Sequence, residues 1–323
     1  MRSRLATPSA TRAVLEEFGL ATKHRLGQNF LVNDAIIEKI CDLAGLGPDD
    51  VVLEVGPGIG TLTVAMLEAC SAVVSLEADH ELEQVLASTC ARDSEKFALL
   101  MGDALRVAPE DVADAVASLG EVPAAAMPNK FVSNLPYQVA ATLILRFMQQ
   151  MPSIRSTVVM VQAEVADRIA ATPGSRDFGA YTAKLQLYGQ VTGRFEVGPG
   201  NFMPPPHVDS AVVRIDRAPA CDPDDRHQLS DDELLTCANV IDAAFAQRRK
   251  TIRNSMSAKG FDKAALDAAF EACGIDARAR AESLCRDDFV RLARELARAG
   301  AAGVAPVRGG ASRADGRRGG ARG

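Results

Sequence analysis

Val51-Val52-Leu53-Glu54-Val55-Gly56-Pro57-Gly58-Ile59-Gly60 joins a short apolar run to a turn in which every second residue is glycine. Val51–Val55 fits a short buried strand, and the turn breaks it sharply before a helical segment running from Thr61 to Cys70. Strand, glycine turn and helix make the first crossover of a nucleotide-binding, Rossmann-like sheet. The spacing is Gly-x-Gly-x-Gly, so the dinucleotide fingerprint Gly-x-Gly-x-x-Gly is not matched. Glycines let a backbone approach a ligand closely, which assigns Gly56 and Gly58 to a cofactor site. The anion met there is a carboxylate as readily as a pyrophosphate.

Working outward, the next strand, Ala72–Leu76, ends in Glu77, about 20 residues after the glycines, where such folds place the acid that binds ribose hydroxyls. Asp79 is read as the cap of the following helix. A third strand, Phe97–Met101, ends in Gly102-Asp103-Ala104, which sets Asp103 at the same sheet edge, suited to accept from an adenine amine. Phe131-Val132 then leads into Ser133-Asn134-Leu135-Pro136-Tyr137 and an amphipathic segment, Ala140–Met148. One reading is an ordinary strand-to-helix turn, with Asn134 as cap and Pro136 starting the helix. The other is a grip on a flat nitrogenous ring. The Asn134 oxygen would accept from an exocyclic amine, Pro136 would stiffen the loop and Tyr137 would stack.

Residues 1–22 form an N-terminal extension with a weak helix, capped by Thr11 and apolar along Val14, Leu15 and Phe18. Lys23-His24-Arg25 runs directly into Leu26-Gly27-Gln28-Asn29-Phe30-Leu31. This is either a solvated turn before a helix near Asn33-Asp34, or a lid whose amides face a ligand and whose cations face an anion. Ser156–Gln162 reads as a fifth strand, and Tyr181–Val191 is ambiguous between strand and helix. Phe202 precedes Pro204-Pro205-Pro206 in a rigid stretch entering a final strand; it is a core plug or the second face of an aromatic clamp.

An Asp-rich linker, Ala218–Asp232, closes a sheet domain of residues 23–217. A helical domain follows at 218–300, with helices over Glu233–Ala246, from Thr251, over Lys263–Cys273 and over Asp287–Ala297. Between the first two, Arg248, Arg249, Lys250 and Arg253 place four cations in six positions, a local phosphate-binding patch. With Lys23, His24 and Arg25 they are expected to form a basic face opposite an acidic linker. Residues 301–323, rich in Gly, Ala and Arg, are expected to be disordered.

The totals bound these readings. The formal charge of −6 excludes a general polyanion binder, so any nucleic-acid contact must be local. The seven cysteines are odd in number and scattered, as in a reduced protein with no disulfide frame, and the four histidines are dispersed, so no metal is expected. His207 reads as a surface residue. No run of about 18 apolar residues crosses a membrane, and no apolar signal core precedes Lys23, so a cytoplasmic location is expected.

With these motifs laid out, the chain resembles the ribosomal RNA adenine dimethyltransferases of the bacterial small subunit. Gly27–Leu31, Glu54–Gly58, Glu77–Asp79, Gly102–Ala104, Asn134–Tyr137, Pro204–Val212 and Arg248–Thr251 carry the resemblance in this order and spacing. It covers about Lys23 to Arg291, and nothing transfers to the N-terminal extension or the Arg-rich tail. It implies an α/β fold: a Rossmann-like S-adenosylmethionine-dependent methyltransferase sheet with a small all-helical C-terminal domain. It also implies S-adenosylmethionine as methyl donor, without a metal. The acceptors would be two adjacent adenosines near the 3′ end of 16S rRNA in the immature small subunit. Carried over by position, Gln28, Asn29, Leu31, Gly56, Glu77, Asp103 and Asn134 line the cofactor site. Asn134, Leu135, Pro136 and Tyr137 hold the target base; RNA contacts are expected from Tyr137, Phe202, Lys23, Arg25, Arg248, Arg249, Lys250 and Arg253. The protein is expected to act as a monomer. A DNA or protein-glutamine methyltransferase would more often carry Pro at position 135. A different class, a nucleic-acid-binding assembly factor without essential methyl transfer, is the alternative function.

Overall fold

The structure, a computed structural model, describes residues 1–20, 28–120, 122 and 127–301. Lys23, His24, Arg25 and the tail beyond Ala301 therefore lie outside the described residues. The elements run α1 (Pro8–Glu17), β1 (Phe30–Leu31), α2 (Asp34–Ala44), β2 (Val51–Val55), α3 (Thr61–Leu67), β3 (Ala72–Glu77), α4 (Glu83–Thr89), β4 (Phe97–Met101) and α5 (Pro109–Ala117). Then come β5 (Lys130–Asn134), α6 (Ala140–Gln150), β6 (Ser156–Gln162), α7 (Ala163–Ile169), α8 (Ala180–Leu185), β7 (Gly189–Val197), β8 (Phe202–Met203) and β9 (Ser210–Arg217). Four helices finish the described chain: α9 (Asp231–Phe245), α10 (Ile252–Ser257), α11 (Lys263–Cys273) and α12 (Arg286–Arg298).

Among the described residues, seven strands form one sheet in the order β4-β3-β2-β5-β6-β9-β7, parallel except where β9 runs antiparallel to both β6 and β7. The chain winds outward from β2 through β3 to β4, then returns to β5 on the other side of β2. That reversal opens a crevice at the carboxyl ends of β2 and β5, where ligands of such sheets bind. Alternation along the strands feeds two cores. Val52, Val73, Val132 and Val158 pack on one face, and Leu53, Val74, Phe131 and Val159 on the other.

The segment ambiguous in sequence divides in two: α8 takes Ala180–Leu185 and a strand begins at Gly189. The cap of α1 is Thr7, whose Oγ1 accepts from Ala10 N at 3.1 Å. Thr11 is fully buried and donates to the Leu5 carbonyl, so its assignment as cap is corrected. Pro8 supplies the reason, since its fixed φ suits the first helical position and places the cap one residue earlier.

Packing draws the boundaries differently from composition. Leu5, Ala6 and Leu15 of the N-terminal extension are buried in the first sheet core. A third core joins α9–α12, and Ala171, Phe178, Ala183 and Leu187, from before the expected boundary at 217/218, are buried within it. Part of the acidic linker is turned inward. Buried Asp222 accepts from Arg294 Nη1 at 2.8 and 2.9 Å, and Asp224 accepts from Arg294 Nη2 at 2.6 Å and Arg291 Nε at 3.2 Å. These two carboxylates fasten the linker to α12, while Asp225, Asp231 and Asp232 stay exposed.

Phe178 is fully buried and stands 6.1 Å, ring centre to ring centre, from Phe245 at the end of α9. Phe178→Ala is expected to cost about 3–5 kcal/mol in urea unfolding and to expose the 172–179 loop to protease at lower urea.

Candidate active site

The crevice holds a cavity of about 240 Å³. Around it the fold gathers Gln28, Asn29, Leu31, Gly56, Gly58, Glu77, Asp103, Asn134, Leu135, Pro136 and Tyr137, residues spread over more than a hundred positions of sequence.

The glycine turn works because all three glycines adopt positive φ: +70° at Gly56, +61° at Gly58 and +86° at Gly60. Space forbids side chains as well. A Cβ on Gly58 would stand 3.0 Å from Phe30 Cε1, since β1 lies directly over the turn. Glu77, buried at the end of β3, accepts from Asp79 N at 2.9 Å and from Gly58 N at 3.4 Å. Burial holds its carboxyl above the ordinary carboxylate range against these hydrogen bonds. Asp79 caps the next turn by accepting from Glu81 N at 3.2 Å, and it also accepts from Gln28 Nε2 at 2.9 Å. Asp103 is exposed at the rim, where its Oδ1 accepts from Leu105 N. That loop is clamped from α6: Arg146 donates to the Ala104 and Val107 carbonyls, each at 2.7 Å.

Asn134 Nδ2 donates to the Asn29 carbonyl at 3.2 Å. A carbonyl only accepts, so this bond fixes which end of the amide is nitrogen and keeps Oδ1 as its acceptor end. Leu135 is buried, with its N–H on the Met160 carbonyl at 3.1 Å, and Pro136 lies against Gly56. Tyr137 is half-buried, and its hydroxyl shares a hydrogen bond with Ser210 Oγ at 2.7 Å. Asn134 belongs to β5 and does not cap α6, whose preceding residue, Val139, provides no side-chain cap.

Phe202 is corrected. It is 3% exposed, buried in the first core and paired with Leu31 across the β1–β8 ladder, so it is the core plug and not a stacking surface. The basic patch is thinned as well. Arg253 donates to both carboxylate oxygens of Asp267, through Nη2 at 2.6 Å, and Arg248 donates to the Arg176 carbonyl and stands 3.5 Å from Glu282. Arg249 and Lys250 are exposed. None of these four cations lines the cavity.

Two residues of the cleft were given no role from sequence. Thr61 Oγ1 lines the cavity and is buried without a hydrogen-bond partner among the described residues. Glu54 is 1% exposed, and its Oε2 accepts from Thr63 and Ser75 hydroxyls, both at 2.7 Å. An acid inside an otherwise apolar strand was the available signal for Glu54. Burial raises its carboxyl to about 7.

The geometry can hold a nucleoside linked to an amino acid. Glu77 suits a ribose diol, Asp103 an exocyclic amine, and the unpartnered Thr61 hydroxyl beside the glycine turn a ligand carboxylate. Comparison with known proteins then decides the class. The family model for ribosomal RNA adenine dimethylase matches residues 19–298. The chain belongs to this family. The ribosomal RNA small subunit methyltransferase A of Leifsonia xyli subsp. xyli is 42% identical over 292 residues, covering 90% of this chain and 98% of that protein. Its counterpart from Thermobifida fusca is 38% identical over 295 residues, covering 90% and 96%. Among solved structures, a dimethyladenosine transferase from Plasmodium falciparum has the same fold (TM-score 0.67, 24% identity, 84% of this chain and 98% of that one). So does the 23S rRNA methyltransferase ErmE (TM-score 0.60, 23% identity, 83% and 100%). Membership of the dimethylase family makes this an S-adenosylmethionine-dependent ribosomal RNA adenine dimethyltransferase and favours methyl transfer over the assembly-factor alternative.

Glu54 gives a pH signature. Its folded-state value lies above the ordinary one of 4.5, so the fold is favoured where Glu54 is protonated and loses stability as pH rises from there through about 7. The loss amounts to on the order of 3 kcal/mol by about pH 8 in the protein without ligand. Glu54→Gln keeps an acceptor for both hydroxyls, and chemical denaturation between about pH 5 and 8 should show a flatter profile for this variant than for the native chain.

Proposed function

We propose that this cleft methylates N6 of two adjacent adenosines near the 3′ end of 16S rRNA, giving N6,N6-dimethyladenosine on the immature small subunit. The protein acts as a monomer in the cytoplasm. The observation that supports this reading most is the Asn134 amide, oriented by the Asn29 carbonyl so that its oxygen is the end left to accept an amine.

S-adenosylmethionine supplies an electrophilic methyl group. The rest falls to the chain. An adenine N6 is a poor nucleophile because its lone pair is delocalised into the ring. The Asn134 oxygen and the Leu135 backbone carbonyl accept from that amine, draw it toward tetrahedral geometry and stabilise the positive charge that develops on it. No base is needed before attack, and the surplus proton leaves to water. Pro136, packed on Gly56, fixes the loop, and Tyr137 stacks on a base taken out of its helix. Glu77, Asp103 and Thr61 hold the donor in place.

Asn134→Ala should lower the chemical step by about 10²-fold, the loss expected for one preorganised stabilising group, measured at saturating donor. The assay is transfer of labelled methyl groups to undermethylated small subunits, digested to nucleosides. Near-normal turnover in this variant would remove Asn134 from the mechanism.

The RNA contact is proposed for the exposed cations of the α9–α10 turn, Arg248, Arg249 and Lys250, with Arg253 held back by Asp267. Replacing Arg249 and Lys250 with Gln should lower the salt slope of subunit binding by about 2. Replacing Arg253 should change that slope little.

A further inference from the structure

The stretch between Asn201 and Ser210 contributes no side chain to the cleft lining, yet it touches both of the cleft's walls. At its start, Asn201 accepts from Val32 N at 2.8 Å and from Asn33 Nδ2 at 2.7 Å, and β8 pairs with β1, which carries Phe30 over the glycine turn. At its end, Ser210 meets the Tyr137 hydroxyl at 2.7 Å.

We propose that Ser210 is a positioning residue for Tyr137, fixing the plane of the ring, and that it governs how completely a singly methylated adenine is carried to the dimethyl product. This rests on the reading of Tyr137 as the ring on which the target base stacks. Ser210 is fully buried and opens β9, where it pairs with Gln162 of β6 on one side and Val197 of β7 on the other. Two ladders therefore fix its position, whereas Tyr137 sits on a loop with its ring half-buried. The bond to Ser210 is the hydrogen bond of that hydroxyl among the described residues. With Cβ held by the loop and the far end of the ring held by Ser210, both side-chain torsions are restricted.

The two methyl transfers do not need this restraint equally. An unmodified adenine offers two N–H donors to the Asn134 and Leu135 oxygens. The singly methylated amine offers one. With one orienting hydrogen bond lost, alignment in the second transfer depends more heavily on the stacking ring. A loosened ring therefore penalises the second transfer more than the first.

The test uses the full chain, S-adenosylmethionine and undermethylated small subunits, with time courses of N6-methyl- and N6,N6-dimethyladenosine. Ser210→Ala should slow the second transfer about fivefold, the size of one neutral hydrogen bond, and let the monomethyl product accumulate. Affinity for S-adenosylmethionine, measured by calorimetry, should not change. Tyr137→Phe removes the same bond from the exposed side and should give the same product ratio; it also carries the test should Ser210→Ala not fold. The double variant should be no worse than either single one, and Ser210→Thr should restore dimethylation. Native product ratios in both Ser210→Ala and Tyr137→Phe, with Tyr137→Ala inactive, would overturn the role of Ser210 and leave the stacking ring standing. Full activity in Tyr137→Ala would remove the stacking reading itself. Additive losses in the double variant would likewise overturn the proposal, since a shared bond can be lost only once.

Discussion

Gly56 lies so close beneath the Pro136 ring that a Cβ added to it would stand 3.3 Å from two ring carbons, and its φ of +70° disfavours any side chain there. This approach is available because β2 and β5 are parallel neighbours at the point where the strand order reverses. It brings the turn proposed to face the donor and the loop proposed to face the acceptor into van der Waals contact. Other parts of the cleft attach to one of those two pieces. Phe30 covers the turn, Glu77 accepts from it, Asn29 orients Asn134, and Arg146 on the helix after the loop clamps the Asp103 segment. Methyl transfer needs two reactants at bonding distance and in line, and on the proposed assignment this contact would set the separation before either arrives.

Much of this was legible in the residues, for stateable reasons. Strand ends followed by Gly, Glu, Asp or Asn are local patterns, and a parallel sheet aligns its carboxyl ends, so the polar groups of Glu77, Asp103 and Asn134 had to converge. What the sequence hid depends on distant partners. Phe202 has the same local pattern whether it plugs a core or clamps a base, and only its pairing with Leu31 decides. Arg253 reads as a free cation until Asp267 is found beside it, one helix later. Thr11 gave way to Thr7 because the cap is chosen by the turn geometry around Pro8, which composition does not report. Glu54 was passed over because a strand acid looks like an exception to a pattern until its buried hydroxyl partners are seen.

Distant partners also bear on the tension between a net charge of −6 and a ribosomal RNA substrate. Much of the acid in the helical half is internal to the protein's own economy of contacts. Asp222 and Asp224 hold Arg294 and Arg291, and Asp242 stands 2.8 Å from Lys184, none of them adjacent in sequence to Arg249 or Lys250. Carboxylates occupied in this way project little field toward a polyanion, so a local surface can be basic on an acidic chain.

The burial of Phe178 and Leu187 among α9–α12 bears on how the protein would locate its target. Had the helical half hung on a flexible tether, a phosphate contact at Arg249 would only raise the local concentration of the cleft around the RNA. Because the two halves share a core, such a contact holds the cleft at a set distance and angle from the point of attachment. The molecule is then a caliper. With the proposed contact at Arg249, it would select adenosines by how far they lie from a landmark in the folded subunit.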